Sequence, residues 1–441
     1  MKIKKSRKLT AAIISLAMVF TMLPAAAFAD AAPTTATVKF NASDSDGFIM
    51  SRQNLTVSSD LSDEYYSIHE SVSGPTVMDA LIAACRAKYG SAFTAATADD
   101  YMDFAWSDTY SSYSVTKWFG QSTYNTAYYL NNTACSSSVD QTAVSDNDLV
   151  ETIYLGDSYS DLYSCFDKNI YNVKAGSTFS MTLKADNWGT AVTPTAGAQI
   201  SQVNSSTGAL TAVSGKTTDS QGTVSMSFTR PGTYYISAAG SVTYTGWSGS
   251  ATGNITAPWA TVNVTLNTPA VKVSNKGIKS LKISWGKVTG ASKYRIYRSA
   301  EKNSGFKKVK TTTARSWTNS SLTTGKRYYY KVRAVYGSYT SALSSVKSNR
   351  PRPAKAVITR LSRQGGNIVV KWKKVKNADG YMIYRAASKN GKYKKLKDTK
   401  AGTVYTSVHP GSKTFYYKVR AYKVYKGKKI TGSFSAVKKV K

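Results

Sequence analysis

Histidine is nearly missing from this chain: His69 and His409 are the two among 441 residues. A histidine-rich metal centre or a histidine proton relay has almost nothing to be built from. Neither histidine stands in a recognisable catalytic motif, and no Gly-x-Ser-x-Gly elbow accompanies the many serines. Cysteine is limited to Cys85, Cys135 and Cys165, too few for a small disulfide-stapled scaffold. After the first 29 residues no stretch approaches ~18 consecutive apolar residues, so no transmembrane anchor is expected. No Leu-Pro-x-Thr-Gly sorting motif precedes the C-terminus. The most lopsided shortage is of acids. From Thr268 to Lys441 only Glu301, Asp379 and Asp398 face 44 lysines and arginines, a net charge of +41. From Asp30 to Asn267 the balance reverses, with 10 basic residues against 21 acids and a net charge of −11. Burying a core requires no such bias, and like-charge repulsion opposes compaction. The excess therefore points to partners or to location.

The first residues read as a secretory signal peptide over 1–29. Lys2, Lys4, Lys5, Arg7 and Lys8 form a positive start, Leu9 to Leu23 is mostly apolar, and Ala27-Phe28-Ala29 is a small-x-small cleavage site. Export permits one disulfide. Cys85 falls on the apolar face of a predicted helix, which leaves Cys135 and Cys165 as the candidate pair and one thiol over.

Some 412 mature residues exceed one core and suggest three or four domains. The firmest evidence is an internal repeat. Trp285 to Arg298 recurs as Trp372 to Arg385, and Tyr328-Tyr-Tyr-Lys-Val-Arg-Ala334 recurs as Phe415-Tyr-Tyr-Lys-Val-Arg-Ala421, both offset by 87 residues. That is a domain-sized period. Pro351-Arg352-Pro353 supplies a stiff linker between the copies. Short alternating strands between turn residues predict a β-sandwich for each copy. The early Trp, the Tyr-x-Ile-Tyr-Arg strand and the Leu322-Thr-Thr-Gly325-x-x-Tyr328 corner resemble fibronectin type III domains, placed at 268–350 and 351–441. Phe415 stands at the corner position of the second copy and has no hydroxyl to close it.

Residues 166–267 form another strand-rich block. Its Gly222-x-Val224 and Phe228 turn pattern, followed by Pro231-Gly232-Thr233-Tyr234, resembles bacterial immunoglobulin-like domains. Residues 30–165 differ. Thr76 and Asp79 make a capping-box pattern after Gly74-Pro75, and Met78, Leu81, Ile82 and Cys85 form one apolar helical stripe that Gly90 ends. Strands are expected at 36–40 and 146–154. Thr76-Val-Met-Asp-Ala-Leu81, Tyr128-Tyr-Leu-Asn-Asn132 and Ser145-Asp-Asn-Asp148 resemble the transcobalamin-like domain of exported bacterial proteins, with Asn where that family has Gly. Cobalamin binding does not carry over, because it needs a second domain that this chain lacks. The expected fold class is thus mainly β: a small α+β, β-grasp-like N-terminal domain followed by three β-sandwich domains.

Three places in the sequence offer candidate chemistry. His69 adjoins Glu70, but no triad motif frames them, and no catalytic residues are assigned. Asp44-Ser-Asp46-Gly47 and Asp146-Asn-Asp148 look like calcium loops. An EF-hand counted from Asp44 would need Gly and Glu where Ile49 and Leu55 stand, so no metal site or other cofactor is expected. The third place is the repeat. If Tyr328, Tyr330, Val332 and Ala334 point inward, Tyr329, Lys331 and Arg333 point outward. On the neighbouring strand Arg295 and Tyr297 do the same. Tyr384, Tyr416, Lys418 and Arg420 repeat the pattern, with Met382 in place of Arg295. Such an Arg/Lys/Tyr face suits an extended polyanion, or it merely keeps the sandwich soluble.

Export favours an anionic cell-envelope polymer over nucleic acid, and no specific nucleic acid is expected. The sequence therefore predicts a secreted, wall-associated, non-enzymatic binding and adhesion protein. The ligand of its acidic N-terminal half is left open between a glycan, a protein and a small molecule. Tyr65, Tyr66, Trp106, Tyr110, Tyr113, Trp118, Tyr124, Tyr128 and Tyr129 are candidates for a glycan platform.

Overall fold

The computed structural model describes residues 34–441 apart from 70–71, 123–124, 157–159, 188–189, 193–194, 247–248, 401, 409–410 and 412. The expected signal peptide, Glu70, Tyr124 and His409 lie outside the described residues. The chain forms two compact units. The first comprises residues up to Val173 with Ser177–Ser227 and Thr233–Val264, and the second comprises Lys174–Gly176, Phe228–Gly232 and Thr265–Lys441. The protein is mainly β with a small helical N-terminal region.

The first unit begins with an antiparallel pair, β1 (Thr35–Ser43) and β2 (Phe48–Ser58), turned by Asp44. Helix α1 (Val77–Tyr89) follows, and its start shows why these residues form it. Thr76 caps the helix in a complete capping box with Asp79. The Asp79 carboxylate also accepts from the Ser62 backbone N–H at 2.9 Å, so this fully buried side chain is satisfied by backbone donors. Met78, Leu81, Ile82 and Cys85 are all fully buried against the sheet. A hairpin follows, β3 (Asp103–Ser107) with β4 (Ser112–Trp118). Next come β5 (Thr126–Leu130) and β6 (Leu149–Tyr154).

The main sheet runs β2-β1-β6-β5 and then the short strand Thr133–Ala134. Strands β1 and β6 lie parallel at its centre, with Lys39 opposite Leu149 and Ser43 opposite Ile153. A long helix over a mixed sheet whose first and last long strands run parallel is a β-grasp-like arrangement. Asn131, Asn132 and Asn147 all adopt positive φ, the conformation for which Asn is the usual substitute for Gly.

Strand β7 (Tyr163–Phe166) crosses the expected domain boundary at 165/166 and pairs with Thr178–Asn187 of the next sandwich. That sandwich stacks a sheet ordered Ile170–Lys174, Ala260–Thr265, Gly232–Ala239, Gln199–Val203, Leu210–Thr217 on a second one containing Thr178–Asn187 and Thr223–Ser227. Met181, Leu183, Ile200, Ile236 and Val262 are buried in its core. The segment before β7 is clamped. A Cβ on Gly253 would come within 1.7 Å of the Ser160 carbonyl oxygen, so only glycine fits there.

A polar network is sealed under β7. Arg52 pairs with Glu151 at 2.7 Å, with side chains 9% and 4% exposed, and its Nε donates to Asn41 at 2.8 Å. The Tyr163 hydroxyl donates to the other Glu151 oxygen, and its ring stacks on Tyr129 at 3.6 Å. The Tyr129 hydroxyl in turn donates to Asp186 at 3.0 Å. Burial, reinforced by the Glu151 carboxylate, pushes the Tyr163 hydroxyl well above its ordinary pKa. Burial also draws the Arg52 guanidinium below its usual value, an effect that Glu151 opposes.

The second unit contains two sandwiches of matching design. In the first, Val271–Gly277, Ser280–Trp285 and Ser316–Asn319 form one sheet. Strands β8 (Lys293–Ser299), β9 (Lys307–Thr312) and β10 (Tyr328–Tyr336) form the other in the order β9-β8-β10. In the second sandwich Ile358–Gln364, Asn367–Trp372 and Val404–Ser407 match the smaller sheet. Strands β11 (Gly380–Ala386), β12 (Lys394–Lys400) and β13 (Phe415–Tyr425) match the larger one, in the order β12-β11-β13. Pro351-Arg352-Pro353 is held in place: the Arg352 N–H donates to the Gly277 carbonyl, and the Arg352 carbonyl accepts from the Asn275 side chain at 2.8 Å.

Removing one partner of the Arg52–Glu151 pair should leave a buried charge uncompensated. Arg52→Met is expected to cost about 3–5 kcal/mol of stability, whereas Arg52→Met with Glu151→Leu should cost much less. Urea unfolding of the three proteins measures this; equal losses for the single and double variants would refute it.

Candidate polyanion-binding face

The alternation expected from the sequence is present in both repeats. Tyr294, Ile296, Tyr330, Val332 and Ala334 are buried, as are Tyr381, Ile383, Tyr417, Val419 and Ala421. All nine candidate residues occupy half-exposed positions between them. Register brings them together. Arg295 lies opposite Arg333, Tyr297 opposite Lys331, and Ser299 opposite Tyr329. In the second copy Met382 lies opposite Arg420, Tyr384 opposite Lys418, and Ala386 opposite Tyr416.

The structure adds residues that the sequence reading passed over. Lys308 of β9 lies opposite Tyr297, so Lys308, Tyr297 and Lys331 form one row across three strands. Lys395, Tyr384 and Lys418 form the same row in the second copy. Strand spacing of about 4.8 Å puts the two lysine backbones of each row roughly 10 Å apart. A signal for them exists: Phe306-Lys-Lys-Val-Lys310 recurs as Tyr393-Lys-Lys-Leu-Lys397 at the same offset of 87.

The cations do not stand free in solvent. Lys331 Nζ sits 4.6 Å from the Phe306 ring centre, and the Arg333 guanidinium lies 5.9 Å from that of Tyr297. Lys418 Nζ sits 3.9 Å from the Tyr393 ring and 4.3 Å from Phe434. Arg420 lies 5.2 Å from Tyr384 and 4.7 Å from Phe434, and its Nη2 donates to the Tyr384 hydroxyl at 2.6 Å. Rings of this kind hold a cation in place without neutralising it, so its charge still reaches a ligand. Arg333 Nε and Arg420 Nε, equivalent atoms in the two copies, are both buried with no hydrogen-bond partner.

The acids of the second copy are already engaged. Asp398 pairs with Lys429 at 2.6 Å and with Lys395 at 3.5 Å, and Asp379 pairs with Lys423 at 2.5 Å. The hydrogen bond from Lys429 holds the Asp398 carboxyl below its ordinary pKa, and that from Lys423 does the same for Asp379.

The copies differ at the corner and in the core. The Tyr328 hydroxyl accepts from the Thr323 N–H at 3.0 Å. Where Phe415 has no hydroxyl, Arg363 donates to the carbonyls of Gly411, Lys413 and Lys441 at 2.6–2.7 Å and ties down the same corner. In the core the Tyr330 hydroxyl accepts from Asn319 at 2.9 Å, and burial raises its pKa to about 12. Ser407 occupies the matching place in the second copy, opposite Ile368 as Asn319 is opposite Leu281. Its shorter side chain leaves the Tyr417 hydroxyl buried without a partner.

The remaining candidates separate by location. His69 Nδ1 lies 3.4 Å from Asp63 on the surface. The Asp44 carboxylate accepts from the Asp46 and Gly47 N–H groups, and Asp148 accepts from Ser145 N–H and the Asn131 amide. Asp146 accepts from Thr37 N–H. Both calcium-like loops thus use these carboxylates to hold turns. Among the described residues no group of three or more His, Cys, Asp or Glu is placed to hold a metal ion.

Cys85, Cys135 and Cys165 are all free thiols. The expected Cys135–Cys165 bond is not formed, since Cys135 packs against the large N-terminal core and Cys165 against a separate small cluster around Tyr129 and Tyr163. Burial pushes the Cys135 thiol up to about 11 and Cys165 up to about 12, which keeps both protonated at neutral pH. Of the aromatic platform, Tyr65, Trp118 and Tyr129 are core residues, Tyr128 is half-buried, and the Tyr66 hydroxyl donates to the Met102 carbonyl. Trp106, Tyr110 and Tyr113 gather on the β3–β4 hairpin.

No family model matches the chain, and no curated protein matches it. Solved structures share parts of it. One titled FN3tt is 21% identical, with 19% of this chain and 96% of that one covered and a TM-score of 0.18. A two-domain fibronectin type III segment of chicken tenascin is 14% identical over 40% of this chain and 99% of that one, with a TM-score of 0.25. The chicken CNTN1 FN1–FN3 domains are 13% identical over 59% and 93%, with a TM-score of 0.23. Scores this low carry no argument. Strand order shows each repeat to be a β-sandwich module with a three-stranded sheet packed on a larger one.

Replacing Asn319 with Ser should recreate the orphaned hydroxyl and cost about 1–2 kcal/mol in the first module. Faster amide exchange in Ser280–Trp285 and β10 measures the loss; unchanged protection would show that the bond contributes nothing.

Proposed function

We propose that this chain is a non-enzymatic, modular binding and adhesion protein, exported and held at the cell envelope by its two basic modules. The observation that carries the reading is the repeated Lys–Tyr–Lys row in a region of net charge +41. An anionic phosphate polymer of the wall offers charges to the lysines and polyol or sugar faces to the rings. Its binding would be dominated by charge, hence steeply salt-dependent. The resemblance of the N-terminal domain to transcobalamin-like modules of exported proteins, together with the signal-like start, supports export. The acidic N-terminal half would then engage a separate ligand.

The full chain should bind isolated bacterial cell walls at low salt and elute by ~1 M NaCl, where screening is nearly complete. Walls stripped of phosphodiester-linked polymer should retain little of it. Binding that survives ~1 M salt, or double-stranded DNA held as tightly as wall polymer, would sink the reading.

A second reading, carbohydrate binding by the N-terminal domain, is favoured by the β3–β4 hairpin. Trp106 and Tyr113 face each other across it with ring centres 5.1 Å apart, and Trp106 Nε1 donates to Asp108 at 3.0 Å. Tyr110 at the tip is 38% exposed. A fixed indole with a neighbouring carboxylate is suited to stacking on a sugar ring and accepting from its hydroxyls. A glycan array probed with the wild type and Trp106→Ala should show a signal that the variant loses; a wild type with no signal eliminates it.

A further inference from the structure

The two basic faces share a frame but not a chemistry. Each has the Lys–Tyr–Lys row described above. In the adjoining row the first copy places Thr311, Arg295 and Arg333 side by side, and the second places Asp398, Met382 and Arg420. One exchange deletes a cation and the other inserts an acid. Over these two rows the first face presents Lys308, Lys331, Arg295 and Arg333 with no acid. The second presents Lys395, Lys418 and Arg420 against Asp398.

The second face is also internally engaged. Asp398 holds Lys395 and Lys429, as no acid among the described residues does on the first face; Arg420 is hydrogen-bonded to Tyr384 and lies over Phe434, while Arg333 is hydrogen-bonded to Thr340 and lies over Tyr297. Phe434 precedes Ser435, whose hydroxyl accepts from Val419 N–H; the equivalent serine of the first copy, Ser344, accepts from Val332 N–H. Leu343 therefore stands where Phe434 does and offers no ring. Among the described residues no carboxylate lies within ion-pair distance of Lys308, Lys331, Arg295 or Arg333.

We propose that the first basic face makes the direct polyanion contact and that Asp398 silences the second. The inference rests on the polyanion reading above and runs against total charge. Residues 268–350 carry a net charge of +18, and residues 351–441 carry +23. Long-range attraction follows that total. Contact at the face follows the local set of cations, and a phosphate approaching the second face meets Asp398 before it can take Lys395 from it.

The test titrates the full chain with long-chain inorganic polyphosphate at ~0.1 M salt, where charges more than about 10 Å apart are largely screened. Lys331→Gln with Arg333→Gln should weaken binding at least ~10-fold, the loss of two phosphate contacts. The matching pair Lys418→Gln with Arg420→Gln should change it less than ~2-fold, and Asp398→Asn should strengthen it ~2-fold or more by releasing Lys395 and Lys429. Unchanged circular dichroism excludes unfolding as the cause. Should that control fail, Lys308→Gln, on the exposed edge strand, replaces the first pair and should still cost ~3-fold or more. Equal losses from the two pairs, or a larger loss from the second, overturn the inference and leave the polyanion reading standing. A null effect of Asp398→Asn overturns the silencing. A wild-type chain that does not bind polyphosphate overturns the polyanion reading itself.

Discussion

Register between β8 and β10, and between β11 and β13, is the constraint on which both basic modules depend. Side chains alternate with a period of two, so a slip of one residue would turn Lys331, Arg333 and Arg295 into the core and Tyr330 and Ile296 into water. Burial prevents this. Tyr330, Val332, Ala334 and Ile296 are fully enclosed, and Tyr330 is further tied to Asn319. The apolar face thus holds the register, and the register places the cations. What a ligand would meet on the outside is decided by rings and aliphatic groups that it never touches.

The same module tolerates different means to one end. A tyrosine hydroxyl closes the corner in the first copy, and Arg363 closes it in the second through three backbone carbonyls. Either device satisfies backbone groups that a loop would otherwise leave to solvent. The first unit shows a comparable economy at Asp79, where one buried carboxylate serves the cap of α1 and the Ser62 N–H of the short helical turn Leu61–Tyr66. At the Arg52–Glu151–Tyr163 network the polar groups are matched closely enough for burial under β7. That network and the Tyr129–Tyr163 stack tie the sheet of the N-terminal domain to the strand that begins the next sandwich.

Much of the fold was legible from local pattern. The cap and stripe of α1, the inward and outward alternation of the repeats, and the Asn residues at positive φ follow from short-range rules that need only neighbouring residues. The candidate face was half legible. Lys308 and Lys395 carry a repeat signal as plain as that of Tyr297 and Tyr384, but no rule of alternation along one strand says which residues of another strand stand beside it. Cys135 and Cys165 illustrate the same limit. Counting thiols suggests a pair, and packing assigns each to a different cluster.

The sequence by itself determined the charge division, the duplication and the identity of inward and outward residues, because composition and period-two patterning are properties of the chain. Tertiary structure alone decided that Glu151 meets Arg52 and Tyr163, that Arg363 substitutes for a missing hydroxyl, and that Asp398 reaches Lys429. These contacts join residues on different strands and turns, and their existence depends on register and packing rather than on spacing along the chain. Read along single strands, the two basic faces differ at Met382, which stands where the first copy has Arg295. Cross-strand register adds Asp398 beside Met382 and so separates them further, because a strand's own sequence does not say which residues of its neighbours stand next to it.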